Sequence, residues 1–304
     1  MNPALTAGCQ LPHAIAHCSQ ALTRAGVAYG HGTTNAHDEA CWLVLWALGQ
    51  PLDSDLQAPA LAHHTLSRDE AARIGALLAQ RTEKRLPLAY LTGEAWLQGV
   101  PFFIDARSIV PRSLLAEPLA EGVFDDWLST PPARVLDLCT GNGSLAVLAA
   151  LAWPHAQITG SDISADALAL ARRNGERHGV HDRIVWQQAD GLSATAADRF
   201  DLILCNPPYV NAQSMAALPP EFRAEPALAL HGGADGMDFL RGVLPQLGTH
   251  LAPHGVCALE IGHEAEHFFA AFPGLETTML ATSGGDDAVL LLEATALQNW
   301  KPAC

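Results

Sequence analysis

The chain is expected to fold as an α/β protein, with a doubly wound, mostly parallel sheet that ends in an antiparallel hairpin, behind a small helical domain. Three observations predict this. Apolar residues recur at helical spacing through the first 86 positions. From Arg134 onward, short apolar runs alternate with helical stretches, the pattern of a parallel sheet with crossover helices. The last two strand-like runs are separated only by Ser283-Gly284-Gly285-Asp286-Asp287. That is too short for a crossover, so they must pair antiparallel.

Taken in order, Leu11, Ile15, Cys18 and Leu22 mark a first helix. Asn35 suits the N-cap of a second, which carries Trp42, Leu43, Leu45 and Trp46 and is ended by Gly49 and Pro51. Ser67 with Glu70 reads as a capping box opening a third, which stops before Pro87. Residues 1–86 therefore form the helical domain. Residues 87–112 interleave Tyr90, Trp96, Phe102, Phe103, Ile104 and Val110 with Gly93, Gly99 and Pro101, and are expected to be a β-hairpin connector. The main domain is 113–304. Its candidate strands are Val135–Leu138, Gln157–Ser161, Ile184–Gln188, Leu202–Cys205, Val256–Ile261, Thr277–Thr282 and Ala288–Glu293.

Composition narrows the class. A chain of 304 residues, 49% hydrophobic, can bury the core of one main domain and a smaller one. No apolar run approaches the ~18–20 residues of a membrane span. Met1 to Gln20 lacks the basic start and apolar stretch of a signal peptide. Seven scattered cysteines with no Cys-x-x-Cys pair read as reduced thiols rather than a disulfide frame or zinc site. Cytoplasmic location and no metal are expected. The net charge of −15 is uneven: residues 1–88 carry six basic and seven acidic residues, the rest 11 and 25. Such a body repels nucleic-acid backbones and attracts basic partners, although acidity also serves plain solubility.

Four constellations carry chemistry. The first is Val135-Leu136-Asp137-Leu138-Cys139-Thr140-Gly141-Asn142-Gly143-Ser144, a buried strand passing into a glycine-rich turn and a helix at about Leu145. Glycine permits close approach of the backbone to a ligand. Position 146 is Ala, so Gly-x-Gly-x-x-Gly is incomplete, and the absence of Gly-Lys-Ser/Thr excludes a P-loop. Asp137 suits a ligand bearing a cation. The second is Asp162, which ends the next strand; an acid there accepts from both ribose hydroxyls, or caps the helix that starts near Ser164. The third is Asp190 with Gly191, placed for the exocyclic amine of an adenine, or again for a helix cap. The fourth is the strand Phe200-Asp201-Leu202-Ile203-Leu204-Cys205 running into Asn206-Pro207-Pro208-Tyr209. Two prolines remove two donors and fix φ, so the loop edge offers carbonyls, to which Asn206 adds its own. Two acceptors can hold both hydrogens of an –NH2 group, and Tyr209 can stack on a planar substrate.

The run from Asp137 to Tyr209 resembles the class I S-adenosylmethionine (SAM)-dependent methyltransferases, whose Rossmann-like sheet ends in an antiparallel strand. The Asn-Pro-Pro-Tyr loop is that of amino-group methylases, acting on glutamine amides or on exocyclic amines of DNA bases. Tyr90-Leu91-Thr92-Gly93-Glu94-Ala95-Trp96, Val110-Pro111-Arg112-Ser113, Glu225-Pro226-Ala227-Leu228-Ala229-Leu230 and Gly233-Ala234-Asp235-Gly236 extend the resemblance to the bacterial protein-glutamine N5-methyltransferases, over nearly the whole chain. The resemblance implies a helical substrate-recognition domain and SAM held by Asp137, Thr140, Gly141, Gly143, Asp162, Asp190, Gly191 and Asn206. It also implies catalysis by Asn206, Pro207, Pro208 and Tyr209.

Two siblings in that family differ in substrate, one taking peptide release factors and the other large-subunit ribosomal protein L-three. Pro111-Arg112-Ser113-Leu114-Leu115-Ala116-Glu117 and Ser283-Gly284-Gly285-Asp286 look more like the ribosomal enzyme. Leu114, where its pattern has proline, and Asp287, where it has glycine, are departures. The implied partner is a basic protein, first L-three before or during ribosome assembly, and neither DNA nor membrane. A DNA adenine methyltransferase shares the loop but needs a basic groove, which two lysines and the acidic body do not supply. An inactive SAM-binding factor would not need the intact Asn206–Tyr209 loop.

Overall fold

The computed structural model describes residues 5–193 and 199–301. Contacts divide the chain into two compact units, Met1–Ala95 with Pro219–Ala224, and Trp96–Leu218 with Glu225–Cys304.

The first unit is helical. Helix α1 (Leu11–Ala25) buries Leu11, Ile15, Cys18 and Leu22 and ends on Gly26 at φ +59°, the left-handed conformation that closes a helix cheaply only with glycine. Helix α2 (Ala36–Ala47) is capped by Asn35, whose side chain accepts from the His37 and Asp38 amides. Helix α3 (Arg68–Glu83) begins with the expected reciprocal Ser67/Glu70 capping box. A further helical turn, Leu88–Thr92, contains Tyr90, which sequence placed in the hairpin; Gly93 at φ +71° ends the turn before the hairpin starts.

The short segment Pro219–Ala224 joins this unit through buried charge. Arg81, 1% exposed, donates from Nε to Glu39 Oε1 at 2.5 Å, from Nη1 to Glu221 Oε1 at 2.9 Å and from Nη2 to the Ala28 carbonyl at 2.7 Å. Arg85 adds a forked pair to Glu221 at 2.6 and 3.1 Å. Burial works to raise the Glu221 pKa, and the guanidinium hydrogen bonds of Arg85 and Arg81 outweigh it, holding the carboxyl below its ordinary value.

In the second unit, strands β1 (Glu94–Leu97) and β2 (Val100–Phe103) form the hairpin, β1 starting at the unit boundary. Gln98 at φ +50° and Gly99 at φ +73° make its turn, both left-handed, as the favoured two-residue hairpin turn requires. The remaining strands are β3 (Arg134–Leu138), β4 (Gln157–Asp162), β5 (Ile184–Gln188), β6 (Phe200–Cys205), β7 (Leu251–Glu260), β8 (Thr278–Thr282) and β9 (Gly285–Glu293). Among the described residues they make one seven-stranded sheet in the order β5-β4-β3-β6-β7-β9-β8. The first five are parallel, while β9 pairs antiparallel with both β7 and β8. This is the Rossmann-like class I methyltransferase sheet.

Alternation along the strands explains why both faces are covered. Val135, Leu202 and Leu204 join one core with Leu145 to Ala150 of helix α4 (Ser144–Ala152), while Leu136, Ile203 and Cys205 join another with helix α6 (Asp238–His250) on the opposite face. Helix α5 (Ala165–Arg177) links β4 to β5. No helix among the described residues is long and apolar enough to cross a membrane.

The Arg81 cluster yields a stability prediction. Glu221→Ala leaves a buried guanidinium short of its counter-charge and should cost about 3–5 kcal/mol. The loss should appear in urea unfolding as a lower midpoint at unchanged slope, whereas an unshifted midpoint would mean that the cluster contributes nothing.

Candidate active site

Strand order reverses between β3 and β6, and ligand crevices in open α/β sheets open at such a point, beyond the carboxyl ends of the strands. There Leu138 pairs with Cys205, so the turn after β3 and the loop after β6 leave the sheet side by side. A cavity of about 210 Å³ opens between them. Asp162, Asp190, Gly191, Gly141, Asn206 and Pro208 line it. Ile163 and Leu228, 48% and 61% exposed, stand on its wall as apolar surfaces for a planar ring. A smaller recess beside it is lined by Asp137, Thr140, Arg112, Ser113 and again Asn206.

The glycine-rich turn is shaped by backbone strain and close approach. Cys139 sits at φ +63°, with Gly141 at +56° and Gly143 at +80°. A Cβ on Gly141 would lie 2.8 Å from Ser108 Oγ, so glycine keeps that wall open. Gly143 does not line the cavity. Its missing side chain admits Trp186 and Ala171, which a Cβ would meet at 2.7 and 2.9 Å, so it serves helix packing.

Asp137 is 1% exposed. Its Oδ2 accepts from the Thr140 hydroxyl at 2.5 Å and the Ala146 amide at 2.9 Å, while Oδ1 is buried without a partner. Burial pushes the carboxyl up to about 7, against the pull of the Thr140 and Ala146 hydrogen bonds. A buried carboxylate oxygen that nothing in the protein satisfies fits a ligand that brings a cationic N–H. Thr140 therefore faces Asp137 rather than the main cavity. Asp162 accepts from the Gly141 amide at 2.9 Å through Oδ2 and from the Ser164 amide at 2.8 Å through Oδ1, while Ser164 itself caps α5 by accepting from Ala167. It braces the turn and lines the cavity at once. Burial raises its pKa as well, opposed by those backbone donors.

The loop Asn206–Tyr209 is divided in its contacts. Among the described residues the Asn206 side chain makes no hydrogen bond and lines the cavity, so its acceptor is open; no backbone donor reaches the Pro207 carbonyl, although Pro207 lines neither recess. Pro207 is buried. Tyr209 does not line the cavity, contrary to a stacking role: its hydroxyl donates to Glu260 Oε1 at 3.1 Å, and its ring lies on Gly262, where a Cβ would come within 2.5 Å of the ring.

Several residues that sequence reasoning gave no role build the surroundings. Glu225 accepts from the Val110 amide at 2.8 Å and a forked pair from Arg112 at 2.6 and 2.8 Å. Glu260 accepts from the Ser113 hydroxyl at 2.6 Å and the Leu114 amide at 2.9 Å. The loop after β6 is clasped by a second loop: the Val210 amide donates to the Leu230 carbonyl at 2.8 Å and the Gly232 amide to the Val210 carbonyl at 2.9 Å. A Cβ on Gly232 would lie 2.7 Å from the Pro208 carbonyl oxygen, and one on Gly236 would lie 2.2 Å from that of Tyr209. The visible signal for Glu260 was an acid within an otherwise apolar strand.

Comparison with known proteins fits this geometry. The family model described as "Methyltransferase small domain" matches residues 120–231. The ribosomal protein uL3 glutamine methyltransferase of Bordetella pertussis is 49% identical over 94% of this chain and 95% of its own length. The chain belongs to the uL3 glutamine methyltransferase family. The protein of the same name from Burkholderia pseudomallei is 43% identical over 93% of the chain and 94% of its own. That from Neisseria gonorrhoeae is 44% identical over 89% and 90%. The enzyme is therefore a methyltransferase with the seven-stranded sheet of its class.

The glycine clasp makes a sharp test. Gly236, at φ +84°, has no room for Cβ, whereas Gly242 on α6 has nothing within 4 Å. Gly236→Ala should lower stability by about 1–3 kcal/mol and displace the loop, cutting methyl transfer at least tenfold. Gly242→Ala should stabilise by up to about 1 kcal/mol and leave transfer intact. Thermal melts and initial rates on both variants check this; equal behaviour would refute the clasp.

Proposed function

We propose that this enzyme transfers a methyl group from SAM to the side-chain amide nitrogen of a glutamine in ribosomal protein uL3. The observation that carries the reading is Asn206, which lines both cavities with its side chain unpaired, next in sequence to the Pro207 carbonyl, which no backbone donor reaches. Residues fit the donor as follows. Asp137 Oδ1 takes the α-ammonium, Asp162 the ribose hydroxyls, and Asp190 with Gly191 the adenine edge, while Gly141 lets the backbone approach. When bound, SAM supplies an electrophilic methyl group on a sulfonium.

A glutamine amide is a poor nucleophile because its lone pair is delocalised into the carbonyl. The protein's contribution is thus position and field. Asn206 Oδ1 and the Pro207 carbonyl accept the two amide hydrogens and fix the nitrogen in line. Their attraction grows as the nitrogen becomes positive, which stabilises the transition state more than the ground state. The surplus proton leaves to water, so no dedicated general base is needed. Pro208 and Tyr209 hold the loop in this shape.

The substrate side of the reading rests on the relatives' names and on charge. Most of the net −15 falls after residue 88. RNA-binding ribosomal proteins are basic, and an acidic enzyme gains encounter rate from such a partner. The same field repels RNA-coated surface, so free or early-assembling uL3 in the cytoplasm is the preferred form, and DNA is not a substrate.

Three outcomes are expected. Asn206→Ala should lower turnover by about 10²–10³ while SAM affinity, read by calorimetry, holds; near-normal turnover would reduce the loop to a turn. With the Asp137 carboxyl near 7, its ionised form dominates only above that pH, so SAM should bind about tenfold tighter at pH 8 than at pH 6. Asp137→Asn should abolish that dependence, and a flat profile in the unsubstituted enzyme would contradict the ammonium contact. With tritiated SAM, purified uL3 should be labelled in preference to release factor, mature large subunits or DNA. Labelling should slow as salt screens the field beyond about 8–10 Å. Labelling of release factor alone would replace the substrate.

A further inference from the structure

Glu260 is the last residue of β7 and is 4% exposed. Three donors converge on it from two segments far apart in sequence. Oε2 accepts from Ser113 Oγ and the Leu114 amide, and Oε1 accepts from the Tyr209 hydroxyl. The nearby guanidinium of Arg112 is committed to Glu225. Ser113 belongs to the wall of the recess shared by Asp137 and Asn206, and Tyr209 closes the loop that begins at Asn206. Because Pro207 and Pro208 lack N–H groups, the centre of that loop cannot anchor itself through backbone donors. Its end is held from outside instead, by the backbone bonds of Val210 and by the side chain of Tyr209.

We propose that Glu260 is a positioning residue that sets the distance between the amide-accepting loop and the Pro111–Ser113 wall, acting on methyl transfer through Tyr209. This inference rests on the role proposed above for Asn206 and the Pro207 carbonyl. The geometry carries it: one carboxylate bridges both walls of the site, while neither of its oxygens faces the cavity that holds Asp162 and Asp190. Tyr209 is thereby an anchor of the loop, and its ring is seated on Gly262 rather than offered to substrate.

The test is a double-mutant cycle of Glu260→Gln and Tyr209→Phe, read as kcat, KM for SAM, SAM affinity and melting temperature. Turnover is followed on whichever protein the unsubstituted enzyme labels, uL3 first. Glu260→Gln keeps the shape and can still accept from Ser113 and Leu114, so folding and SAM affinity should hold within about twofold. Its kcat should fall about 10–100-fold. Tyr209→Phe, which removes the link outright, should fall at least as far. The double variant should be no slower than the slower single one, since Glu260→Gln leaves Tyr209 only a neutral hydrogen bond of reversed direction and both substitutions therefore act on one link. Ser113→Ala removes one of the two donors that tie Glu260 to the Pro111–Ser113 wall, so it should lower kcat too, but less than Tyr209→Phe does, because the Leu114 amide still holds that wall. Multiplicative losses in the double variant, an unchanged kcat in Glu260→Gln, or a loss confined to SAM affinity would each overturn the inference. A fully active Glu260→Gln together with an inactive Asn206→Ala would overturn it while leaving the proposed function standing.

Discussion

The pairing of Leu138 with Cys205 in adjacent parallel strands governs the site. Where those two strands end, one chain continues into a turn with three consecutive demands for left-handed backbone, at Cys139, Gly141 and Gly143, and the other into a loop of two prolines. Ladder hydrogen bonds stop at the same level in both. The acidic turn and the carbonyl-rich loop are therefore neighbours by construction. A one-residue slip in that register would turn each core side chain to the other face and separate Asp137 from Asn206.

Buried carboxylates then complete what the sheet begins. The loop that presents Asn206 has two positions without amide donors, which makes it a good acceptor surface and a poor self-supporting structure. Support comes from outside it. Glu260 holds Tyr209, the 230–232 strand-like stretch holds Val210, and Gly232 and Gly236 let the flanking backbone approach the loop carbonyls. Burial of Asp137 with one unsatisfied oxygen is unfavourable in itself, and on the proposed reading the ammonium of the methyl donor relieves that cost.

Much of this was legible in sequence. Strand alternation located the seven strands, and the capping signals at Asn35 and Ser67 located the helices, because both depend on local chemistry. Asp137, Asp162, Asp190 and Asn206 were legible because each lies at or just beyond the carboxyl end of a strand. The rest depended on long-range approach. Nothing local distinguishes Gly143, which admits Trp186, from Gly141, which lines the cavity. Tyr209 reads as a stacking ring until Gly262 and Glu260 are seen to occupy it. Tyr90 was drawn into the hairpin by its β propensity, whereas Gly93 allows a helical turn to finish first. The junction of Pro219–Ala224 with the helical unit rests on Arg81, Arg85 and Glu221, which are separated by 136 to 140 residues in sequence.

On the proposed reading, Asn206 and the Pro207 carbonyl hold a substrate amide for in-line transfer. A crystal structure of the enzyme with the demethylated donor product and a glutamine-bearing uL3 fragment tests it most directly. The account predicts that the two amide hydrogens point to Asn206 Oδ1 and the Pro207 oxygen, with nitrogen–oxygen distances of about 2.7–3.2 Å, while Tyr209 remains bonded to Glu260. An amide bound elsewhere, or one whose nitrogen faces Tyr209 after that residue has left Glu260, would contradict it.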